Sequence, residues 1–194
     1  MLTKKDVLRL LQQKELEFFP ALDVYQLRDS GAIDVRLGSV VRVPLVPDWN
    51  DPSRQNEKIE ELPQDGRPWI MAPHQSVLAQ TSQRIKMPAN VVAVLMSRTT
   101  AARRFLAVGQ AGLVDRFYEG RLILPLTNLM NLPNSIRVGE RIASLVFFKA
   151  EGDENSPFWS KYHKKDPSSA AALRETSEEE EAIRNGTWDK LEKI

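Results

Sequence analysis

The sequence predicts a mainly β domain, a sandwich or barrel-like fold, with a short helix in front and a partly helical tail behind. Three observations carry this. Runs with period-two alternation and β-branched residues recur between Ile33 and Phe148, glycine and proline punctuate them, and almost no helical pattern interrupts them. The 194 residues suit one domain with a tail, and a shift in composition after Ala150 divides the chain into a domain over 1–150 and a tail over 151–194.

Taken in order, Thr3 can cap a helix from Lys4 to about Lys14, with Val7, Leu8, Leu10 and Leu11 forming its apolar face. Strand signals begin at Ile33, Val35 and Leu37 and continue through Val40, Val41 and Val43, with Gly38 and Pro44 as breaks. Between 47 and 68, Pro47, Pro52, Pro63 and Gly66 stand among many charges and predict a long, mobile surface excursion. Strand-like runs follow over Trp69–Met71, Ser76–Thr81, Val91–Met96, Arg121–Asn128, Ile136–Val138 and Ile142–Phe148, with a turn at Gly139. The tail holds helix formers from Ser168 to Asn185 and the run Glu178 to Glu181, the signature of a solvated helix face.

Composition narrows the function classes. Lys plus Arg number 27 against 26 Asp plus Glu, so the formal charge of +1 provides no overall field for polymeric nucleic acid or an anionic membrane. No apolar run approaches the ~20 residues that span a bilayer. With no cysteine, disulfides, a thiol nucleophile and the Cys-ligated zinc of the zinc-dependent nucleobase deaminases are excluded. The charged opening, Met1 to Asp6, lacks the apolar core of a secretory signal, so the expected location is cytoplasmic.

Two segments could carry chemistry. In Ala111 to Gly120, apolar residues precede Asp115 and glycines bracket an expected β-hairpin; a carboxylate held there could orient or deprotonate a water while Tyr118 offers a flat surface. Spacing alone favours a turn aspartate beside a packing tyrosine. In Ser97 to Arg104, three arginines accompany Thr99 and Thr100, the donor types that phosphate oxygens require, with either threonine expected as a helix N-cap. A solvated basic helix start is the alternative.

The motifs Arg98-Thr99-Thr100-Ala101-Ala102-Arg103, Ala111-Gly112-Leu113-Val114-Asp115 with Tyr118 and Gly120, and Gly139-Glu140-Arg141-Ile142-Ala143-Ser144-Leu145-Val146-Phe147 resemble, in order, those of the dUTPase and dCTP deaminase superfamily. Ala32-Ile33-Asp34-Val35-Arg36-Leu37-Gly38 resembles the start of dCTP deaminases, and the resemblance covers roughly residues 1–148. It implies a distorted β-barrel or jelly-roll protomer of the dUTPase-like β-clip type and a homotrimer with sites between subunits. It also implies a deoxypyrimidine triphosphate ligand, with magnesium bound mainly through the triphosphate and no dedicated protein ligands. Carried onto this sequence, Arg98, Thr99, Thr100, Arg103, Gly112 and Tyr118 would bind substrate, and Asp115 would be catalytic.

The two branches differ at one strand. Deaminases of the family place a glutamate where this chain has Pro125, and proline offers neither proton nor carboxylate. The aspartate that dUTPases use to activate water is kept as Asp115. The glycine-rich closing motif of dUTPases is missing, and Lys161-Tyr162 resembles the deaminase segment that covers the triphosphate. The resemblance therefore implies conversion of dUTP to dUMP and pyrophosphate. A dCTP deaminase with a relocated acid and an inactive nucleotide- or partner-binding relative are the alternatives.

Overall fold

The computed structural model describes residues 1–47, 55–109, 112–150 and, in the tail, Asn185. Its first element, α1 (Lys4–Gln12), begins at a reciprocal cap, in which the Thr3 hydroxyl accepts from the Asp6 N–H and the Asp6 carboxylate accepts from the Thr3 N–H at 2.9 Å. Val7 and Leu10 are buried, whereas Leu8 is exposed. The helix stops short of the expected Lys14 because Lys14 takes φ 57, a left-handed conformation through which no helix continues. Gly31, at φ +87, runs so close to the cap that a Cβ would lie 2.8 Å from the Lys4 nitrogen.

Among the described residues, eleven strands follow: β1 (Glu17–Phe19), β2 (Ile33–Pro47), β3 (Gln55–Glu61), β4 (Trp69–Met71), β5 (Ser76–Lys86), β6 (Val91–Ser97), β7 (Leu106–Val108), β8 (Leu113–Val114), β9 (Glu119–Asn128), β10 (Asn134–Ile136) and β11 (Arg141–Lys149). A short helix, α2 (Thr99–Arg103), links β6 to β7. Nine strands form one curled sheet in the order β7-β9-β5-β2-β11-β6-β8, with β1 added to β5 and β3 to β2; β10 pairs with β4. The expected mainly β, barrel-like fold is therefore what the chain adopts.

The sheet curls because β2 serves both halves. Its start pairs with β11, Asp34 opposite Ser144, and its later part pairs with β5, Val41 opposite Ala79. At the changeover Gly38 lets the backbones approach, since a Cβ there would lie 3.0 Å from the Gln80 carbonyl oxygen. Gly38 and Pro44 thus fall within one strand rather than between two. The expected excursion over 47–68 is corrected as well. It contains β3, whose polar sequence gave no strand signal but which pairs with the free side of β2, Val41 opposite Glu60. The Ser76 strand runs on to Lys86, where β1 joins it, and β10 sits at Asn134–Ile136 rather than Ile136–Val138. The tail calls, including its helix and Lys161 and Tyr162, lie outside the described residues apart from Asn185, which is helical and exposed.

Where β2, β11 and the end of β6 meet, the carboxylate of Asp34 is wholly buried. The Ser144 hydroxyl donates to it at 2.6 Å. Arg98 Nε lies 3.0 Å away with its N–H not aimed at the oxygen, Arg141 Nη1 lies 3.5 Å away, and Arg28 Nη1 3.9 Å. A buried charge tolerates burial only when paired and hydrogen-bonded, and here one carboxylate answers three guanidinium groups. Asp34→Asn should therefore lose about 3–5 kcal/mol of stability, and Ser144→Ala about 1–3 kcal/mol, both read by urea denaturation. A loss below ~1 kcal/mol for Asp34→Asn would mean that solvent already satisfies the arginines.

Candidate active site

The segment around Asp115 is not the expected hairpin. β8 pairs with β6, Val114 opposite Ala93, whereas β9 pairs with β5, so residues 115–118 cross from one half of the sheet to the other. β8 is held to β6 by a further bond, from the Leu95 N–H to the Gly112 carbonyl at 2.6 Å, which leaves β9 free for β5. The crossing is fixed by short-range bonds: the Tyr118 N–H to the Asp115 carbonyl (3.3 Å), the Phe117 N–H to the Pro88 carbonyl (3.4 Å) and the Met87 N–H to the Tyr118 carbonyl (2.8 Å). Phe117 takes φ 61 to complete the turn.

Tyr118 is held at its phenol end. Its hydroxyl donates to the Arg121 carbonyl at 2.7 Å, and it crosses Gly120 so closely that a Cβ there would lie 2.9 Å from the phenolic oxygen. Burial pushes the phenol up to about 12, against a smaller opposing effect of Arg84, so the hydroxyl stays protonated. Asp115 is half-buried, and loss of hydration pushes its carboxyl above the ordinary aspartate range. Among the described residues no donor is bound to that carboxylate, which leaves it available to a water.

The Arg98 to Arg104 segment divides its arginines among three tasks. Arg98, not Thr99 or Thr100, is the N-cap of α2, and it makes no side-chain cap bond. Its guanidinium faces Asp34 and donates to the Arg141 carbonyl at 3.1 Å, which holds the backbone at the strand-to-helix junction. Thr99 and Thr100 become the first helical residues, with exposed side chains. Arg103 is exposed and has no partner among the described residues. Arg104 turns inward, 2.5 Å from Glu140 and bonded to the Ser135 carbonyl. Exposed hydroxyls and one free guanidinium can receive an anion from solvent.

Within one chain, the two segments stand apart. Leu113 opposes Val94 and Val114 opposes Ala93, so Asp115 falls beside Val92, near the start of β6, while Arg98 follows its end. The six residue steps from Val92 to Arg98 correspond to roughly 20 Å of extended strand. Gly112 lies between, tied to Leu95, and Pro125 sits on the half-buried side of β9 between Ile123 and Thr127, opposite Leu78.

Sequence reasoning did not assign Asp34, Arg141 and Ser144 their joint role. Alternation on β2 puts Asp34 on the face opposite Ile33 and Val35, which reads as the solvent side, whereas both faces are buried here. The contact of Gly109 with Pro125, where a Cβ on Gly109 would lie 2.4 Å from the proline Cδ, gave no signal because the residues are 16 positions apart.

Comparison with known proteins covers the same stretch. A family model described as dCTP deaminase-like matches residues 1–150. A dUMP-forming dCTP deaminase of a Sulfurihydrogenibium species is 32% identical over 84% of this chain and 91% of its own. One from Dictyoglomus turgidum is 28% identical over 89% of this chain and 94% of its own. Among solved structures, a 2'-deoxycytidine 5'-triphosphate deaminase of Agrobacterium tumefaciens superposes with a TM-score of 0.60 at 20% identity, over 75% of this chain and 47% of that longer one. The curled sheet, the order of its motifs and the match over 150 residues agree, and the chain belongs to the dCTP deaminase-like family.

Proposed function

We propose that the protein hydrolyses dUTP to dUMP and pyrophosphate in sites completed between the subunits of a homotrimer. The observation that carries this is the presence of a half-buried, unpartnered Asp115 together with Pro125 on β9. Relatives are named for forming dUMP from dCTP, which requires both loss of ammonia from the base and loss of pyrophosphate from the phosphate chain. Deamination needs an acid/base group at the ring, and Pro125 supplies none at the position where the family places its glutamate. Release of pyrophosphate needs a water aimed at phosphorus, and Asp115 suits that task.

In this reading Asp115 takes a proton from a water as the water oxygen bonds to the α-phosphorus. The bond from that phosphorus to the α–β bridging oxygen breaks, and pyrophosphate leaves with the bonding electrons. Thr99, Thr100 and Arg103 of a neighbouring copy hold the phosphate oxygens, with Arg98 supporting their backbone. Tyr118, its ring fixed over Gly120, packs against deoxyribose where a 2'-hydroxyl would have to fit. Among the described residues no three carboxylates or imidazoles gather to cage a cation, so the donor set suits magnesium carried by the triphosphate itself. Bound in that way, magnesium neutralises charge on the phosphate oxygens.

Two features support assembly from several copies. Asp115 follows the strand paired near the start of β6, whereas α2, with Arg103, follows the end of β6, so the two segments face different ends of one strand. The outer face of the β8-β6-β11 half also carries the lateral row Leu113, Val94 and Val146, flanked by Val92, Phe148 and Met96. Leu113 is 62% and Met96 54% exposed in the single chain. Strands apolar on both faces belong between two covered layers, and a second copy provides the missing one.

Asp115→Asn should lower dUTP turnover by ~10²–10⁴-fold while leaving nucleotide binding intact. In the wild type, kcat/KM should fall as pH drops through a carboxyl titration lying above the ordinary aspartate range, because the base must be ionised to accept a proton. That limb should vanish in the variant. Ammonia release from dCTP by the wild type would replace this reading with deamination, and no turnover of any deoxynucleotide would leave only a binding protein.

Arg103→Ala should weaken binding of dUTP far more than binding of deoxyuridine. Calorimetry that finds equal losses for the two ligands would remove the phosphate role of Arg103.

A further inference from the structure

Pro125 occupies an internal position of β9, where proline is normally excluded because it cannot donate to a ladder. β5 pairs along β9 from Glu119 to Thr127, whereas β7 pairs only with Leu126 to Asn128. The next residue, Gly109, donates its N–H to the Pro125 carbonyl at 2.6 Å. In an antiparallel pair of this kind the two residues exchange both bonds, and proline has no N–H to return the second. The β7–β9 ladder therefore ends at Pro125. The proline ring then meets the chain that leaves β7: a Cβ on Gly109 would lie 2.4, 2.9 and 3.0 Å from its Cδ, Cγ and Cβ. Three positions later the Gly112 carbonyl is held by the Leu95 N–H, and β8 leads directly to Asp115.

We infer that Pro125 is a positioning residue for the hydrolytic site, acting through Gly109: it ends the ladder and, by contact, directs the chain that delivers Asp115. The proline is then more than a missing acid. It is matched to a glycine that no other residue can replace while the ring is present. This inference rests on the dUTP reading given above, so the test needs a readout that survives failure of that reading.

The test is a double-mutant cycle of Gly109→Ala and Pro125→Ala. It is measured in parallel by kcat and KM for dUTP, and by the NMR titration of the Asp115 side-chain carboxyl in the protein without nucleotide. Misplacement of a reacting group by about 1 Å can cost ~10²-fold. With Pro125 present, Gly109→Ala should lower kcat by that order in protein shown to be folded by its thermal transition, and should shift the acid limb set by Asp115. In the Pro125→Ala background, where the ring is gone, the same substitution should cost less than about threefold. Equal costs in both backgrounds would overturn the inference, as would a Gly109→Ala protein with reduced stability but unchanged kcat and pH profile. If the wild type does not hydrolyse dUTP, the function reading fails alone. The cycle in the Asp115 carboxyl titration then decides the positioning role, with coupled shifts supporting it and additive shifts refuting it.

Discussion

The buried carboxylate of Asp34 is the constraint on which the rest of the architecture depends. It lies at the junction of three strands, takes a hydrogen bond from Ser144 and faces the guanidinium groups of Arg98, Arg141 and Arg28. Such a charge is costly to bury alone, so its partners are held in place as firmly as it is. Arg98 is both one of those partners and the residue that starts α2. The exposed Thr99, Thr100 and Arg103 are thereby fixed relative to the core by an ion pair whose carboxylate is wholly buried. Electrostatics at the centre of the sheet thus sets where an anion can be received at its rim.

The same sheet sets the two candidate segments toward different ends of one strand. β6 is the shared ruler: its end leads into α2, and its start carries, through β8, the segment that delivers Asp115. Because the strand is extended, the backbone beside Asp115 and the backbone at Arg98 stay apart for as long as the ladder holds. In the proposed reading a neighbouring copy supplies one of the two groups, and the apolar outer face of β6 and β11 gives that copy a surface to cover.

Much of this was legible in the sequence, and the reasons for the rest are physical. The strands with strong alternation, such as Val91 to Met96 and Ile142 to Phe148, stood out because their side chains decide their faces. β3 did not, since Gln55–Glu61 carries little β propensity and forms because β2 presents an edge. Gly38 and Pro44 read as breaks but are absorbed inside β2, where the curl of the sheet uses the close approach that glycine allows. The motif residues were identified one by one, yet their grouping was not: nothing in the spacing of Arg98, Asp34, Arg141 and Ser144 says that they meet. The turn at Asp115 was recognised, but its connection was misassigned, because glycine-bracketed turns look alike whether they close a hairpin or cross between strands.

The claim that the site is shared between copies, with Asp115 from one and Arg103 from another, is tested most directly by subunit complementation. Asp115→Asn and Arg103→Ala chains would each be purified, shown to be folded, unfolded together, refolded as a mixture and assayed with dUTP. A shared site predicts that the mixture regains turnover well above that of either variant alone, because some interfaces then combine the intact Asp115 of one chain with the intact Arg103 of its neighbour. A mixture whose turnover never exceeds the sum of its two components, although mixed oligomers are present, would contradict the account and place both residues in a site made by one chain.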